Sequence, residues 1–147
     1  MSTILGIPLW YNPPKLISFA LDGDDTSQQF FDIYSISHIQ GGIFLYFFLT
    51  KFLNIRFKTA FICSIIMSLT FEIIENTDFV IKKFRKTYRQ YKGDSIVNII
   101  GDMLMCVLGF LLAYNYPTIS VILFIIMHIM LYPFEAGAFN IAMAMFG

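Results

Sequence analysis

Charge is what this sequence has least of. Only 14% of its 147 residues are Asp, Glu, Lys or Arg, against about 25% in an ordinary soluble domain. Ten bases and ten acids cancel, so net charge gives no hint of a polyanionic partner, and no nucleic-acid partner is expected. Cysteine is equally scarce. Cys63 and Cys106 both sit in apolar runs, where a free thiol behaves as a small hydrophobe, and no disulfide is expected. There is no phosphate-binding glycine loop, no HExxH and no Cys-x5-Arg sequence, which removes the enzyme classes read from those signatures. A cleaved leader is not expected, because no basic residue precedes the first apolar stretch and Pro8, Pro13 and Pro14 interrupt it.

What fills the chain is apolar. Hydrophobic residues make up 57% and aromatics 18%, with 17 Phe and 8 Tyr, and the mean hydropathy is +0.69. Such a composition calls for lipid as the solvent. A hydrocarbon core about 30 Å thick takes roughly 20 helical residues to cross, and four stretches meet that need: 32–53, 59–81, 94–114 and 118–132. The expected fold is all-α, an integral membrane four-helix bundle forming a single domain over 1–147. Residues 1–31 read as an N-terminal interfacial segment, since Trp10, Tyr11 and Lys15 suit a membrane surface. Residues 133–147, apolar and rich in small residues, extend the last span past Pro133 or lie along the interface.

The charges that exist are unevenly placed. Lys15 and the cluster Lys82, Lys83, Arg85, Lys86, Arg89 and Lys92 fall on one side of the four spans, and Lys51, Arg56 and Lys58 on the other. The positive-inside rule then puts both termini on the cytoplasmic or matrix side of a bacterial or mitochondrial inner membrane. Between spans two and three, Phe84, Tyr88 and Tyr91 alternate with those bases at helical spacing, which predicts a basic amphipathic interfacial helix. It would contact anionic lipid head groups, or serve simply as a topology determinant.

The other charges lie within the spans. An ionisable group at mid-bilayer costs at least about 2.5–3.5 kcal/mol, so it normally faces a partner or a cavity. Span two carries Glu72, Glu75, Asn76 and Asp78, span three Asp94, Asn98 and Asp102, and span one His38 and Gln40. Glu72, Glu75 and Asn76 share a helix face, and Asp94, Asn98 and Asp102 repeat every four residues along another, flanked by Gly101 and Gly109. Counting rise from the inner ends places His38 about 9 Å deep, Asn98 and Asp102 about 6 and 12 Å, and Glu72 and Glu75 about 13 and 9 Å. The polar cluster of His38, Glu72, Glu75, Asn76, Asp94, Asn98 and Asp102 should therefore meet at one level.

Such a cluster suits a divalent metal ion, a shared proton, a lipid head group held through water, or a hydrogen-bond network that fixes helix register. If it is catalytic, Glu72 and Glu75 are the ligands or acid/base pair, His38 the proton carrier, and Asp102 a ligand or orienting group. His128, among Met127, Met130 and Leu131, reads as a packed side chain, and Glu135 as a helix-end anchor. The acidic run Asp22, Asp24 and Asp25 lacks the spacing of an EF-hand and reads as a hydrated turn.

Glu72-Ile-Ile-Glu-Asn-Thr77, Phe84-Arg85, Tyr91-Lys-Gly-Asp-Ser-Ile-Val-Asn98, Asp102 and Leu108-Gly-Phe-Leu-Leu-Ala113 resemble, in order and spacing, a family of small inner-membrane proteins common in alphaproteobacteria and known only as a domain of unknown function. The block from Ser27-Gln28 through Asp32 and His38 to Gly42 looks like that family's earlier motif. A more distant likeness, resting on a Glu of one span and Asp94, Asn98 and Gly101 of the next, is to VanZ-like membrane proteins. The chain departs from the closer pattern at Gly41 and Gln29, each where a histidine is expected, which shifts weight from metal catalysis to a retained scaffold. Three functions follow: a non-enzymatic accessory or assembly subunit contacting other membrane-protein subunits, an intramembrane enzyme acting on a lipid or lipid-linked substrate, and a proton or ion pathway.

Overall fold

Two short polar side chains decide where the first and third long helices begin. Asp32 caps α1 (Ile33–Phe47): its carboxylate accepts from the Tyr34 and Ser35 amides while the Ser35 hydroxyl accepts from the Asp32 amide, a reciprocal capping box. Ser95 caps α4 (Ile96–Asn115) by accepting from the Asn98 amide. Between them lie α2 (Phe57–Glu75) and a short α3 (Asp78–Phe84). The last helix, α5 (Pro117–Leu131), opens on proline, whose fixed φ suits a first helical turn. α1 runs on as a π-helical turn, Phe48–Phe52, and α5 closes in a 3-10 turn, Tyr132–Phe134.

This computed structural model describes residues 3–4, 7–10, 15–19, 25–84, 89–134, 136 and 143. Ahead of the helices, β1 (Thr3–Ile4) pairs antiparallel with β2 (Ile7–Pro8), Ile4 opposite Ile7. Among the described residues, four helices are long and apolar enough to cross a membrane: Ile33–Phe52, Phe57–Glu75, Ile96–Asn115 and Pro117–Phe134. The all-α four-helix architecture is therefore as the composition implies. Ile119, Ile122, Ile125, Ile126 and Ile129 of α5 all point outward, as expected of a helix solvated by lipid.

The boundaries differ where apolar content outlasts the helix. Span two does not reach residue 81. Asn76 Nδ2 donates to the Glu72 carbonyl at 2.9 Å and Thr77 Oγ1 to the Ile74 carbonyl at 2.7 Å, so side chains take over the final carbonyls and α2 stops at Glu75. The apolar Phe79-Val80-Ile81 belongs instead to α3, where Val80 is buried against Tyr91. Asp94, expected at the head of span three, precedes the Ser95 cap and lies outside the helix.

A helix does sit between spans two and three, but not one continuous basic helix over 82–92. Lys82 and Lys83 lie in the last turn of α3, Arg89 is in a turn, and Lys92 is outside any helix. Tyr91, expected at the membrane surface, is buried and donates to Asp94 Oδ1 at 3.1 Å. Tyr11, Asp22, Asp24, Arg85, Lys86, Tyr88 and Glu135 lie outside the described residues. Both cysteines are free.

The most extensive helix pair is α1 with α4, and it is parallel: Ser35 meets Asp102 near both starts, Gly42 lies against Cys106 and Phe110, and Tyr46 packs on Phe110 and Tyr114 further along. The backbones approach so closely that a Cβ on Gly42 would fall 1.9 Å from the Cys106 carbonyl oxygen, and one on Gly109 would fall 2.1 Å from the Ile39 oxygen. Without hydrophobic pressure between helices in lipid, such approach is what small residues supply. Beyond the crossing, Tyr46, Phe57, Phe61, Phe110 and Tyr114 interlock as edge-on and tilted rings. They fill the half of the bundle opposite the polar residues.

Candidate functional site: a buried acid and imidazole centre

The starts of α1 and α4 and the end of α2 meet at the same end of the bundle, which carries their polar side chains to one place. Glu72, one turn from the end of α2, is 1% exposed. Its Oε1 lies 3.4 Å from Nδ1 of His38, and Nε2 of the same imidazole lies 3.7 Å from Asp102 Oδ2. Both separations are too long for good hydrogen bonds. Neither carboxylate oxygen of Glu72 has a hydrogen-bond partner. A buried polar atom left unpartnered costs about 1–3 kcal/mol, and more when charged, so this pair of oxygens calls for an explanation.

The neighbouring acids are handled differently. Asp102 Oδ1 accepts from the Ser35 hydroxyl at 2.5 Å. Asp94 accepts from Asn76 Nδ2 at 2.7 Å and from Tyr91, and its amide donates to Asn76 Oδ1 at 2.7 Å. Asn76 thus pins the end of α2 to the chain entering α4. Among the described residues, two sets of side chains bring one ligand atom each within 4.8 Å of the others: His38, Glu72 and Asp102, and Glu72, Glu75 and Asp94. Glu72 is common to both. Glu75, placed about 9 Å deep by the expected boundaries, is in fact the last residue of α2.

Asn98 sits apart from these sets and holds a roof in place. Its amide donates to the Gln29 carbonyl at 2.8 Å and points towards Asp32 Oδ2 at 3.5 Å. Gln28 Nε2 donates to the Gly93 carbonyl, the Ser95 hydroxyl to the Gln28 carbonyl, and the Ser95 amide to the Ser27 carbonyl. Gln29 is fully buried and accepts from the Trp10 indole and from the Lys15 amide, each at 2.8 Å. Residues 26–29 are therefore folded into the bundle end and not spread on the membrane surface. Lys15 also meets Asp25 at 3.1 Å. Burial raises the Asp25 carboxyl, but hydrogen bonds from Lys15 and Ser18 outweigh it and hold the group below the usual carboxylate range.

Of the residues singled out in the sequence, His38, Glu72 and Asp102 come together, with Glu75 and Asp94 beside Glu72. Asn76 and Asn98 act on backbone and neighbouring carboxylates. Gln40 is directed elsewhere, donating to the Phe124 carbonyl of α5 at 3.2 Å. The bases Lys82, Arg89 and Lys92 are exposed. Ser35, Gln28, Gln29 and Ser95 were not anticipated as parts of it. Their signal was the polar stretch ahead of each helix, which reads equally well as hydrated loop.

The residues that build both the centre and its roof fall within 13–145, the stretch matched by the family described as Protein of unknown function (DUF2585). The chain belongs to the DUF2585 family. Relatives of this DUF2585 protein carry the name UPF0314 protein. That of Brucella anthropi is 33% identical over 101 residues, covering 64% of this chain and 50% of the relative. That of Agrobacterium fabrum is 32% identical over 106 residues, covering 70% and 54%, and that of Sinorhizobium fredii is 35% identical over 119 residues, covering 74% and 59%. The DUF2585 chain thus spans about half the length of the relatives it matches. No solved structure matches it. The alphaproteobacterial resemblance read from the motifs is the family found.

Proposed function

We propose that this DUF2585 protein is a non-enzymatic membrane protein, an accessory or assembly subunit, whose polar centre holds a divalent cation that ties α1, α2 and α4 together. The observation that carries the reading is Glu72: a carboxylate 1% exposed, with both oxygens unpartnered, facing His38 and Asp102. Ligands at about 2.0–2.2 Å from a tetrahedral ion stand roughly 3.3–3.6 Å apart, close to the 3.4 Å between His38 Nδ1 and Glu72 Oε1. A cation taken by one nitrogen of His38 leaves the other to the remaining carboxylate, the outer-shell arrangement that orients metal-binding histidines. The hydrogen-bonded roof from Gln28, Gln29, Ser95 and Asn98 suits a closed, structural site better than one open to substrate. The base distribution supports a bacterial inner-membrane setting with both termini on the cytoplasmic side.

The test is metal content and thermal stability measured together on detergent-purified protein. Wild-type protein should retain a divalent ion, and a chelator should lower its Tm by about 5–10 °C, the effect of losing a ligand held at roughly 100 times its Kd. Glu72→Gln should abolish both the ion and the chelator effect. Absence of metal, with a Tm indifferent to chelator, would sink the reading. A second reading, an intramembrane enzyme acting on a lipid or lipid-linked substrate, draws on the bracing of His38 between two carboxylates, an arrangement suited to proton transfer. It requires turnover of such a substrate in proteoliposomes that His38→Gln removes.

A further inference from the structure

Glu72 stands in two ligand sets at once, and it has two free oxygens. On one side are His38 and Asp102, and on the other Glu75 and Asp94, each set with one ligand atom per residue inside 4.8 Å. Ionised together, the acids of the centre would carry more charge than one divalent ion can neutralise. Four carboxylates, Glu72, Glu75, Asp94 and Asp102, face a single imidazole, and no lysine or arginine is among the described buried residues. Asp32, the remaining acid nearby, belongs to neither ligand set and caps the start of α1 through the Tyr34 and Ser35 amides. Charges taken out of water are kept only when paired or bound to metal, and two divalent ions would cancel four carboxylates.

We infer that Glu72 bridges two divalent cations, one held with His38 and Asp102 and the other with Glu75 and Asp94. This deepens the single-cation reading above and rests on it. Carboxylate-rich sites with one imidazole suit Mn²⁺, Fe²⁺ or Zn²⁺, and pairs of such ions in protein sites stand about 3.5–4 Å apart. Helical bundles place such pairs with ligands three residues apart on one helix, the spacing of Glu72 and Glu75. The Asn76 clamp then acquires a purpose: it fixes Asp94, which is not on a helix, at the distance from α2 that a second ion demands.

The experiment is Mn²⁺ titration of the chelator-stripped full chain in detergent, read by equilibrium dialysis and by low-temperature EPR. The expected result is two Mn²⁺ per chain with the signal of a spin-coupled pair. His38→Gln and Asp94→Asn should each leave one uncoupled Mn²⁺, Glu72→Gln should lose both ions and with them the coupling, and Glu72→Asp should keep it. One Mn²⁺ per chain in the wild type overturns the bridge and leaves the single-cation reading standing. No bound Mn²⁺ overturns both. Two ions that survive both His38→Gln and Asp94→Asn lie elsewhere and also overturn the inference. Circular dichroism of each variant separates ligand loss from failure to fold, and the wild-type count decides the matter even if a variant does not fold.

Discussion

Gly41 and Gly42 are adjacent in α1, yet replacing each by alanine should move stability in opposite directions. A Cβ at Gly41 meets nothing within 4 Å, whereas one at Gly42 would lie 1.9 Å from the carbonyl oxygen of Cys106, where ordinary contact begins at 3.4 Å. The obstruction is backbone, so it cannot be relieved by a rotamer change. α1 and α4 must part by about 1.5 Å at that point, the difference between those two distances. A gap of about 0.5–1 Å already forfeits a quarter to a half of a dispersion contact, and forced overpacking costs about 1–3 kcal/mol. Gly42→Ala should therefore destabilise by about 2–4 kcal/mol, because the whole α1/α4 contact is affected. Gly41→Ala keeps every contact and gains helix propensity, stabilising by about 0.5–1 kcal/mol. Adding Gly109→Ala to Gly42→Ala should cost less than its effect alone, since helices already parted accommodate the second methyl. Thermal unfolding in detergent followed by circular dichroism measures all three. If Gly42→Ala and Gly41→Ala fall within about 0.5 kcal/mol of one another, the close crossing is refuted.

Asp32→Ala removes the α1 cap and should cost about 0.5–2 kcal/mol, read as a lower Tm with helix content retained; an unchanged Tm would show that the cap does not matter. Trp10, the single tryptophan, reports on the roof through its bond to Gln29. Because the Asp25 carboxyl is held below its ordinary value of 3.8, its tie to Lys15 contributes stability above that pH and loses it as pH falls further. Trp10 emission should therefore stay constant from neutral pH down to about 4 and shift only below it. Lys15→Met should raise the midpoint towards the ordinary value; an identical midpoint would mean that Lys15 does not set it.

The architecture was legible because apolar length alone separates spans from loops in lipid. Helix ends were less so. The run through Ile81 stays apolar, and only the capping chemistry of Asn76 and Thr77 reveals that α2 has stopped. The pairing of His38, Glu72 and Asp102 could be read because helix geometry turns spacing into depth. Their roof could not, since residues 26–29 and 91–95 have no periodicity and owe their burial to contacts more than 60 residues apart in sequence, such as Ser95 to Gln28, 67 apart, and Asn98 to Gln29, 69 apart. The two sequence departures also look different in place. Gln29 is engaged with Trp10 and Lys15 and not with the acidic centre, and Gly41 faces open space.

The parallel pairing of α1 with α4 has a consequence for biogenesis. α1 leaves the ribosome long before its partner exists, and α2, its neighbour in sequence, makes far less contact with it. At synthesis rates of about 5–20 residues per second, the roughly 60 residues from the start of α1 at Ile33 to the start of α4 at Ile96 take about 3–12 seconds to appear. During that interval His38 and Ser35 have no Asp102 to face, and Glu72 arrives before either set of its companions is complete. The nascent chain must wait in the membrane with its acids unmatched until α4 enters, which makes the interval after α2 the point at which an insertase or a quality-control protease would find it.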